Sequence, residues 1–505
     1  MNNLIDFSFN NFINTFFFID NLLIIISITP LLGALLVLCF RGSYVTKNIS
    51  LFFSILTFFL TVLLWSLFDE SVSHFQFLVN YKLIPSVNVD FILGIDGLSL
   101  FFIVLTALIV PLCILSSWNS IKYRIEDFFI AFLIMESLLM IVFSSLDLIL
   151  FYVFFESVLI PMFIIVGIWG SRERKIRAGY MLFLYTLLGS VLMLLSIIFI
   201  HYQVGTTNYH SLLGTIFNES HQKVMWLAFF ISFAVKIPIV PVHVWLPEAH
   251  VEAPTAGSVI LAGILLKLGS YGVLRFLMPL FPYGMFYYLP LVYTLGIISI
   301  IYTSLIAIRQ TDIKRVIAYA SVAHMNLIVL GLFCINTQGI EGSIYQMLSH
   351  GVVSSALFLC VGVLYDRYHT RLIRYYNGCV YLMPLFSLFF LIFTMANIAL
   401  PGTSSFVGEA LIFIGLFKVN IFVTFFSATG MILGGAYSLW LYNRVIFGNI
   451  KKIVMVSRTD LNTIEFWMFI PLIILTIIMG VYPAIFLDVL HTSVGNLIYH
   501  MKLII

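Results

Sequence analysis

Apolar residues along this chain come in unbroken runs of around twenty, not in the strict alternation of half-buried strands. Fourteen runs predict helices at roughly 21–40, 49–68, 97–118, 128–143, 147–169, 179–202, 223–247, 255–280, 287–308, 312–335, 341–365, 379–417, 420–446 and 465–488. A hydrocarbon core of about 30 Å takes some twenty helical residues to cross, whereas barrel strands are nearer ten and alternate. Two of the runs are irregular. The seventh holds Pro238, Pro241 and Pro247, each of which removes a backbone donor. The twelfth is too long for one straight crossing and is interrupted at 397–406, N-I-A-L-P-G-T-S-S-F. Broken helices persist at depth only where they line a cavity or are buried in protein, so both breaks point to function. The pattern predicts an all-α polytopic membrane protein of about fourteen transmembrane helices.

Composition agrees with that picture. Of 505 residues 62% are hydrophobic and 9% charged, and the mean hydropathy of +1.10 excludes a soluble domain of this size. The N-terminus shows no basic region followed by a small-residue cleavage site, so the first run is expected to stay as a crossing. Five cysteines (Cys39, Cys113, Cys334, Cys360, Cys379) lie far apart, which argues against iron–sulfur or structural zinc ligation. No phosphate-loop or dinucleotide motif is present, which disfavours nucleotide chemistry by this chain. Fifty Phe, 25 Tyr and abundant Ile and Asn fit an A+T-rich organellar genome.

The basic residues test the count of crossings. Connections at 41–47, 119–127, 170–178, 309–315, 366–374 and 444–458 hold 18 of the 25 Lys and Arg. The alternate connections and termini hold only Lys82, Lys223, Arg275, Lys418 and Lys502. The positive-inside rule then puts the first set on the cytoplasmic or matrix side and both termini on the other. The linker at 447–464 is polar enough to lie along the inner interface.

Two basic residues remain, Lys236 and Lys267, and both fall within crossings. A charge at the bilayer centre costs roughly 2.5–3.5 kcal/mol on insertion scales. Snorkelling is the ordinary way out, but apolar residues flank each lysine for two turns or more on at least one side. Lys236 is thirteen residues past Lys223, about 20 Å in. Lys267 and His324 lie twelve residues past Thr255 and Asp312, about 18 Å in. Glu136, Glu156 and His350 are each nine residues from the near end of their crossing, and Glu409 is nine before Lys418, about 14 Å in every case. Entering from both faces, all seven converge on the middle of the bilayer. A polar row parallel to the membrane suits proton movement.

Desolvation disfavours a buried ammonium and a nearby carboxylate restores it. A Glu156–Lys236 pair that opens and closes would therefore switch Lys236 between releasing and holding a proton. Static interhelical ion pairs are the competing reading for both Glu156–Lys236 and Glu136. For His324 and His350 it is a hydrogen-bonded interhelical histidine. His243, in the broken part of the seventh helix, can face the same wet region, and Glu248, His250 and Glu252 are expected at the inner mouth.

These residues sit in longer motifs. A-V-K-I-P-I-V-P-V-H-V-W-L-P-E-A-H-V-E-A-P-T-A-G-S-V-I-L-A-G-I-L-L-K-L-G, from Ala234, closely resembles the signature of the antiporter-like subunits of respiratory complex I. F-F-E-S-V-L-I-P-M at 154–162, T-D-I-K-R-V-I-A-Y-A-S-V-A-H-M at 311–325 and L-S-H-G-V-V-S-S-A-L-F at 348–358 match as well. P-G-T-S-S-F-V-G-E at 401–409 carries Glu where two sister subunits typically carry Lys. The resemblance covers about residues 90–450.

It implies two inverted five-helix repeats, each with one broken helix. The corresponding divisions are 1–127, 128–280, 281–446 and 447–505. Carried over, Glu156 and Lys236 would be the coupled pair of the inner half-channel and Lys267 would pass the proton on. His324 and His350 would relay it, and Glu409 would release it outward. Glu136 matches an accessory acid, and His243, from its place in the broken helix, joins the accessory path. NADH, FMN, iron–sulfur clusters and ubiquinone would belong to partner subunits, with no cofactor, metal or nucleic acid on this chain. The partners implied are other membrane subunits of the complex, above all neighbouring antiporter-like ones, in the mitochondrial inner membrane. The chain would thus be a non-redox subunit of the proton-translocating NADH:ubiquinone reductase. The alternatives are a subunit of a multi-subunit cation/proton antiporter, which shares the Lys-Pro and A-P-T-A-G segments, and a structural scaffold.

Overall fold

In a computed structural model, residues 21–40, 42–85, 88–451 and 459–504 are described. The first twenty residues, both chain ends, Arg41 and the 452–458 part of the expected interfacial linker lie outside them. The helices are α1 (Leu22–Cys39), α2 (Ser43–Leu67), α3 (Gly97–Ser116), α4 (Ile125–Ser144), α5 (Leu148–Trp169), α6 (Lys175–Val204), α7 (Glu219–Lys236), α8 (Trp245–Glu252) and α9 (Thr255–Leu280). They continue as α10 (Pro282–Arg309), α11 (Ile313–Leu332), α12 (Thr337–Tyr368), α13 (Pro384–Asn397), α14 (Ser404–Val419), α15 (Ile421–Ile446), α16 (Thr463–Val481) and α17 (Ala484–Ile504). Twelve are long and apolar enough to cross a membrane. The pairs α7/α8 and α13/α14 make one broken crossing each, which gives fourteen among the described residues.

Both breaks fall where the prolines predict them. In residues 237–244 the lost helical bonds are replaced from neighbouring helices. Val240 N–H donates to Ser299 Oγ (3.0 Å) on α10, and Asn326 Nδ2 on α11 donates to Pro238 O (3.1 Å). Trp245 Nε1 donates to Val235 O (2.9 Å). Irregular backbone survives at this depth because protein side chains satisfy it. In residues 398–403 the chain turns through Gly402 at φ +90°, a conformation that suits glycine.

The end of the bundle opposite the basic connections carries a cap that hydropathy alone did not announce. After α2, β1 (Gln76–Ile84) pairs antiparallel with β2 (Val89–Ile95). The predicted fourteenth helix at 465–488 ends at Val481, because Pro483 lacks a donor and pushes Tyr482 out of the helical region. The chain resumes as α17, which lies across the cap. Ser493 Oγ accepts from Gly97 N (3.0 Å), Thr492 Oγ1 donates to Glu70 O (3.0 Å), and a His500 ring nitrogen meets Leu213 O at 3.1 Å. Nearby, Asp147 caps α5 and accepts from Thr207 Oγ1 at 2.7 Å, and burial pushes its carboxyl above the usual range.

Arg275, expected in a connection, instead lies inside α9 and is 2% exposed. Its guanidinium makes a two-pronged ion pair with Asp96, with Nη1 donating to Oδ2 at 2.8 Å and Nη2 donating to Oδ1. Asp96 also caps α3, accepting from Ser99 N in a capping box. One carboxylate thus joins β2, α3 and α9. Removing one member of a buried pair costs roughly 3–5 kcal/mol, while replacing both with apolar residues is often neutral. Asp96→Ala should therefore destabilise the chain in thermal unfolding of the purified assembly, and Asp96→Leu with Arg275→Met should recover most of the loss. Equal losses in both would show that the pair is not the source.

Candidate functional site

Four of the residues in the predicted row form one chain of contacts. Its base is α9, where two π-helical segments, Leu261–Leu265 and Val273–Leu277, interrupt the regular pattern. π-bulges free carbonyls and are frequent at functional sites. Ala262 O, in the first segment, accepts from Lys267 Nζ at 2.5 Å. The same nitrogen is 2.8 Å from His350 Nδ1 on α12. While Lys267 is charged it can only donate, so Nδ1 accepts and the proton of a neutral His350 sits on Nε2. Glycines make this approach possible. A Cβ on Gly263 would lie 2.6 Å from Ser355 Oγ, and one on Gly351 would lie 3.0 Å from Gly263 O.

The row continues across α11 to α14. The His350 and His324 rings are 5.9 Å apart, and His324 Nδ1 is 3.1 Å from Glu409 Oε1. Gln346 Nε2 donates to that same oxygen (3.1 Å) and is itself held by Ser349 Oγ on Gln346 Oε1 (3.0 Å). Neither His350 Nε2 nor His324 Nε2 has a hydrogen-bond partner. A void of about 20 Å³ beside Glu409, lined in part by His324, Asn397 and Tyr437, has room for one water.

Glu156 and Lys236 form a separate pair. Lys236 is the last residue of α7, where the helix dipole favours a cation. Its Nζ is 3.8 Å from Glu156 Oε1, donates to Phe155 O (3.2 Å) and stands 4.0 Å above the Phe155 ring. Neither Glu156 oxygen accepts a hydrogen bond, so the pair is an ion contact and not a locked bridge. The helix carrying Lys267 packs on this corner: a Cβ on Gly269 would meet Ile237 Cγ1 at 2.8 Å and Phe233 O at 3.0 Å.

Two sequence candidates sit apart from these clusters. Glu136 is fully buried and accepts from Thr57 Oγ1 on α2 at 2.5 Å, with its other oxygen unpartnered. His243 lies in the α7/α8 break with its ring edge-on to Tyr302 and its Nδ1 unpartnered. Of the three residues expected at the inner mouth, Glu248 pairs with Arg315 at 2.8 Å, while His250 and Glu252 are buried. Sequence reading missed Gln346, and it placed Lys314 in a connection. Lys314 is buried, donating to Ala253 O (2.9 Å) and Ser258 Oγ (3.2 Å). The signal for Gln346 was present: it lies one helical turn before His350.

Comparison with known proteins shows the family. Residues 145–433 match the family described as NADH:quinone oxidoreductase/Mrp antiporter, TM. Residues 66–146 match the one described as NADH-ubiquinone oxidoreductase chain 4, amino terminus. NADH-ubiquinone oxidoreductase chain 4 of Marchantia polymorpha is 57% identical over 475 residues, covering 94% of this chain and 96% of its own. The chain belongs to the NADH-ubiquinone oxidoreductase chain 4 family. The Arabidopsis thaliana chain 4 is likewise 57% identical over 475 residues, with the same coverage of each chain. Among solved structures, a chain of respiratory complex I from Thermus thermophilus with bound NADH superposes with a TM-score of 0.88 at 29% identity. It covers 95% of this chain and 99% of its own. A chain of an archaeal membrane-bound sulfane sulfur reductase gives 0.84 at 19% identity over the same shares and extends the likeness in fold alone.

Proposed function

We propose that the mid-membrane row carries a proton through this chain, with the Glu156–Lys236 contact as its switch. The chain is a proton-translocating membrane subunit of NADH:ubiquinone oxidoreductase, and its partners are other subunits of that complex. The observation that carries the residue assignment is the unbroken sequence of contacts from Lys267 through His350 and His324 to Glu409. With the pair closed, the Glu156 carboxylate offsets the Lys236 charge. When it opens, the uncompensated ammonium disfavours a second charge on Lys267, whose proton moves to His350 and on to Glu409. Reclosing lets Lys267 reload.

The basic connections assign the loading side to the matrix and the releasing side to the intermembrane space, with both termini on the latter. The enzyme then sits in the mitochondrial inner membrane, and neighbouring antiporter-like subunits flank the chain. NADH, FMN, iron–sulfur clusters and ubiquinone act in partner subunits. The repeats run 128–280 and 281–446, each with its broken helix as the fourth crossing, between an N-terminal part at 1–127 and a C-terminal part at 447–505.

His350→Ala tests the relay. Water can substitute for an imidazole in the space it leaves, so the proton-to-electron ratio in reconstituted vesicles is expected to fall partially. NADH oxidation by ferricyanide, which reports on the redox subunits, should be unchanged. An unaltered ratio would remove His350 from the path.

A further inference from the structure

Gln346 is buried on α12, one helical turn before His350, and its side chain reaches the carboxylate of Glu409 on α14. The two helices meet there along a seam of glycines. A Cβ on Gly408 would lie 2.6 Å from Gln346 Oε1 and 2.9 Å from Gln346 Cα, and one on Gly342 would lie 2.6 Å from Leu411 Cβ. Backbones this close leave little room for movement and fix Gln346 relative to Glu409. The direction of the amide is fixed as well. Ser349 Oγ is 3.0 Å from Gln346 Oε1 and 3.2 Å from Gln346 O, both of which only accept, so the hydroxyl is the donor. The amide nitrogen is left to face Glu409 Oε1 at 3.1 Å. Turned over, the amide would set its own oxygen against an ionised carboxylate, two acceptors with no hydrogen between them.

Both hydrogen bonds that the structure gives the Glu409 carboxylate fall on Oε1, from Gln346 Nε2 and His324 Nδ1, each at 3.1 Å. Glu409 also lines the void of about 20 Å³, whose wall includes Asn397 and Tyr437 but not Gln346. A water in that space, the Tyr437 hydroxyl or the Asn397 amide could satisfy the carboxylate in place of Gln346. A carboxylate turned that way would leave His324 Nδ1 without its acceptor. The two sides therefore compete for one group. The titratable groups facing Glu409 are His324 from α11 and Tyr437 from α15. Gln346 and Ser349 from α12, and Asn397 from the end of α13, are uncharged.

We infer that Gln346 is a positioning residue for the transfer from His324 to Glu409: its amide holds Glu409 Oε1 against His324 Nδ1 and keeps the carboxylate from turning into the void. In that transfer the N–H bond at His324 Nδ1 breaks and an O–H bond at Glu409 Oε1 forms. Nε2 of the same ring, which has no hydrogen-bond partner, takes the incoming proton. Gln346 itself gives up no proton, because a carboxamide serves as a donor without ionising. Its effect runs through Glu409. Transfer needs donor and acceptor within about 2.6–3.2 Å, so a carboxylate free to turn reacts only while it faces the row.

The inference rests on the reading of the row as a proton path, and Lys267→Met, which breaks the row at its other end, separates the two. In reconstituted vesicles of the assembled enzyme, Gln346→Met fills the same space without a donor and should lower the proton-to-electron ratio severalfold at every pH. NADH oxidation by ferricyanide and sedimentation of the intact complex should be unchanged. Gln346→Glu distinguishes positioning from packing. Its carboxyl donates to Glu409 while protonated, as the amide does, and repels Glu409 once ionised. Relative to the unsubstituted enzyme, its ratio should be nearly full at about pH 6 and should fall towards that of Gln346→Met by about pH 9, the range in which buried carboxyls lose their proton. If Gln346→Met does not assemble, this pH profile carries the test alone. An unchanged ratio in Gln346→Met would overturn the assignment. In that case the row stands if Lys267→Met still stops pumping, and both readings fall if it does not. Equal pumping by Gln346→Glu at both pH values, or pumping no better than Gln346→Met at either, would also overturn it, because shape alone would then account for the residue.

Discussion

Proton translocation by the assembled enzyme is expected to fall by about two orders of magnitude when Lys267 is replaced by Met, the scale of losing a positioned proton donor. Met fills the space of the Lys stem but cannot hold a proton, so His350 loses the donor 2.8 Å from its Nδ1. The substitution also leaves His350 Nδ1 without its donor, at roughly 1–3 kcal/mol, so assembly must be measured separately. NADH oxidation by ferricyanide and the sedimentation of the intact complex supply that control. Lys267→Arg sharpens the test. It retains a cation for Ala262 O and His350, but a guanidinium does not deprotonate in proteins. If charge alone matters, Arg pumps; if proton release matters, Arg assembles and fails. The second result is expected, and normal pumping by Lys267→Arg would defeat the relay.

The next largest effect is expected at the switch. Glu156→Gln removes the counter-charge 3.8 Å from Lys236 while preserving shape, and it should lower the proton-to-electron ratio about tenfold or more. Lys236→Met should do the same from the other side. Residues that act as a unit give non-additive losses, so the double variant should pump no worse than either single one. A static scaffold pair predicts something different: stability losses in each single variant, recovery in the double and unchanged pumping throughout. Measuring melting temperature and proton-to-electron ratio on the same three proteins decides between them.

The two clusters were not equally legible in the sequence. Counting residues from helix ends put Lys267, His324, His350 and Glu409 at one depth, and the structure joins those four side chains. Depth follows from rise per residue and needs no knowledge of neighbours. Azimuth does. Glu136 shares that depth yet bonds Thr57 on α2, because rotation about the helix axis depends on which helices pack together. Arg275 and Lys314 were read as loop residues by their proximity to helix ends. Asp96 in one case, and Ala253 O with Ser258 in the other, satisfied them inside the bundle. A buried charge is stable only with partners, and partners distant in sequence leave no local trace.

By itself the sequence determined the membrane class, the long apolar helices, the two proline-directed breaks and how far each charged residue lies from its helix end. Each of these follows from hydropathy, rise per residue or a missing backbone donor, all properties of a short stretch of chain. Only the tertiary structure decided that Lys267 and His350 touch, that Glu156 and Lys236 meet without a hydrogen bond, and that a hairpin and α17 cap one end. It also stacked His250, with both ring nitrogens unpaired, on Phe358 of α12. Those facts depend on side chains from several helices meeting in space, with the glycines at Gly263, Gly351 and Gly269 setting how closely the backbones approach.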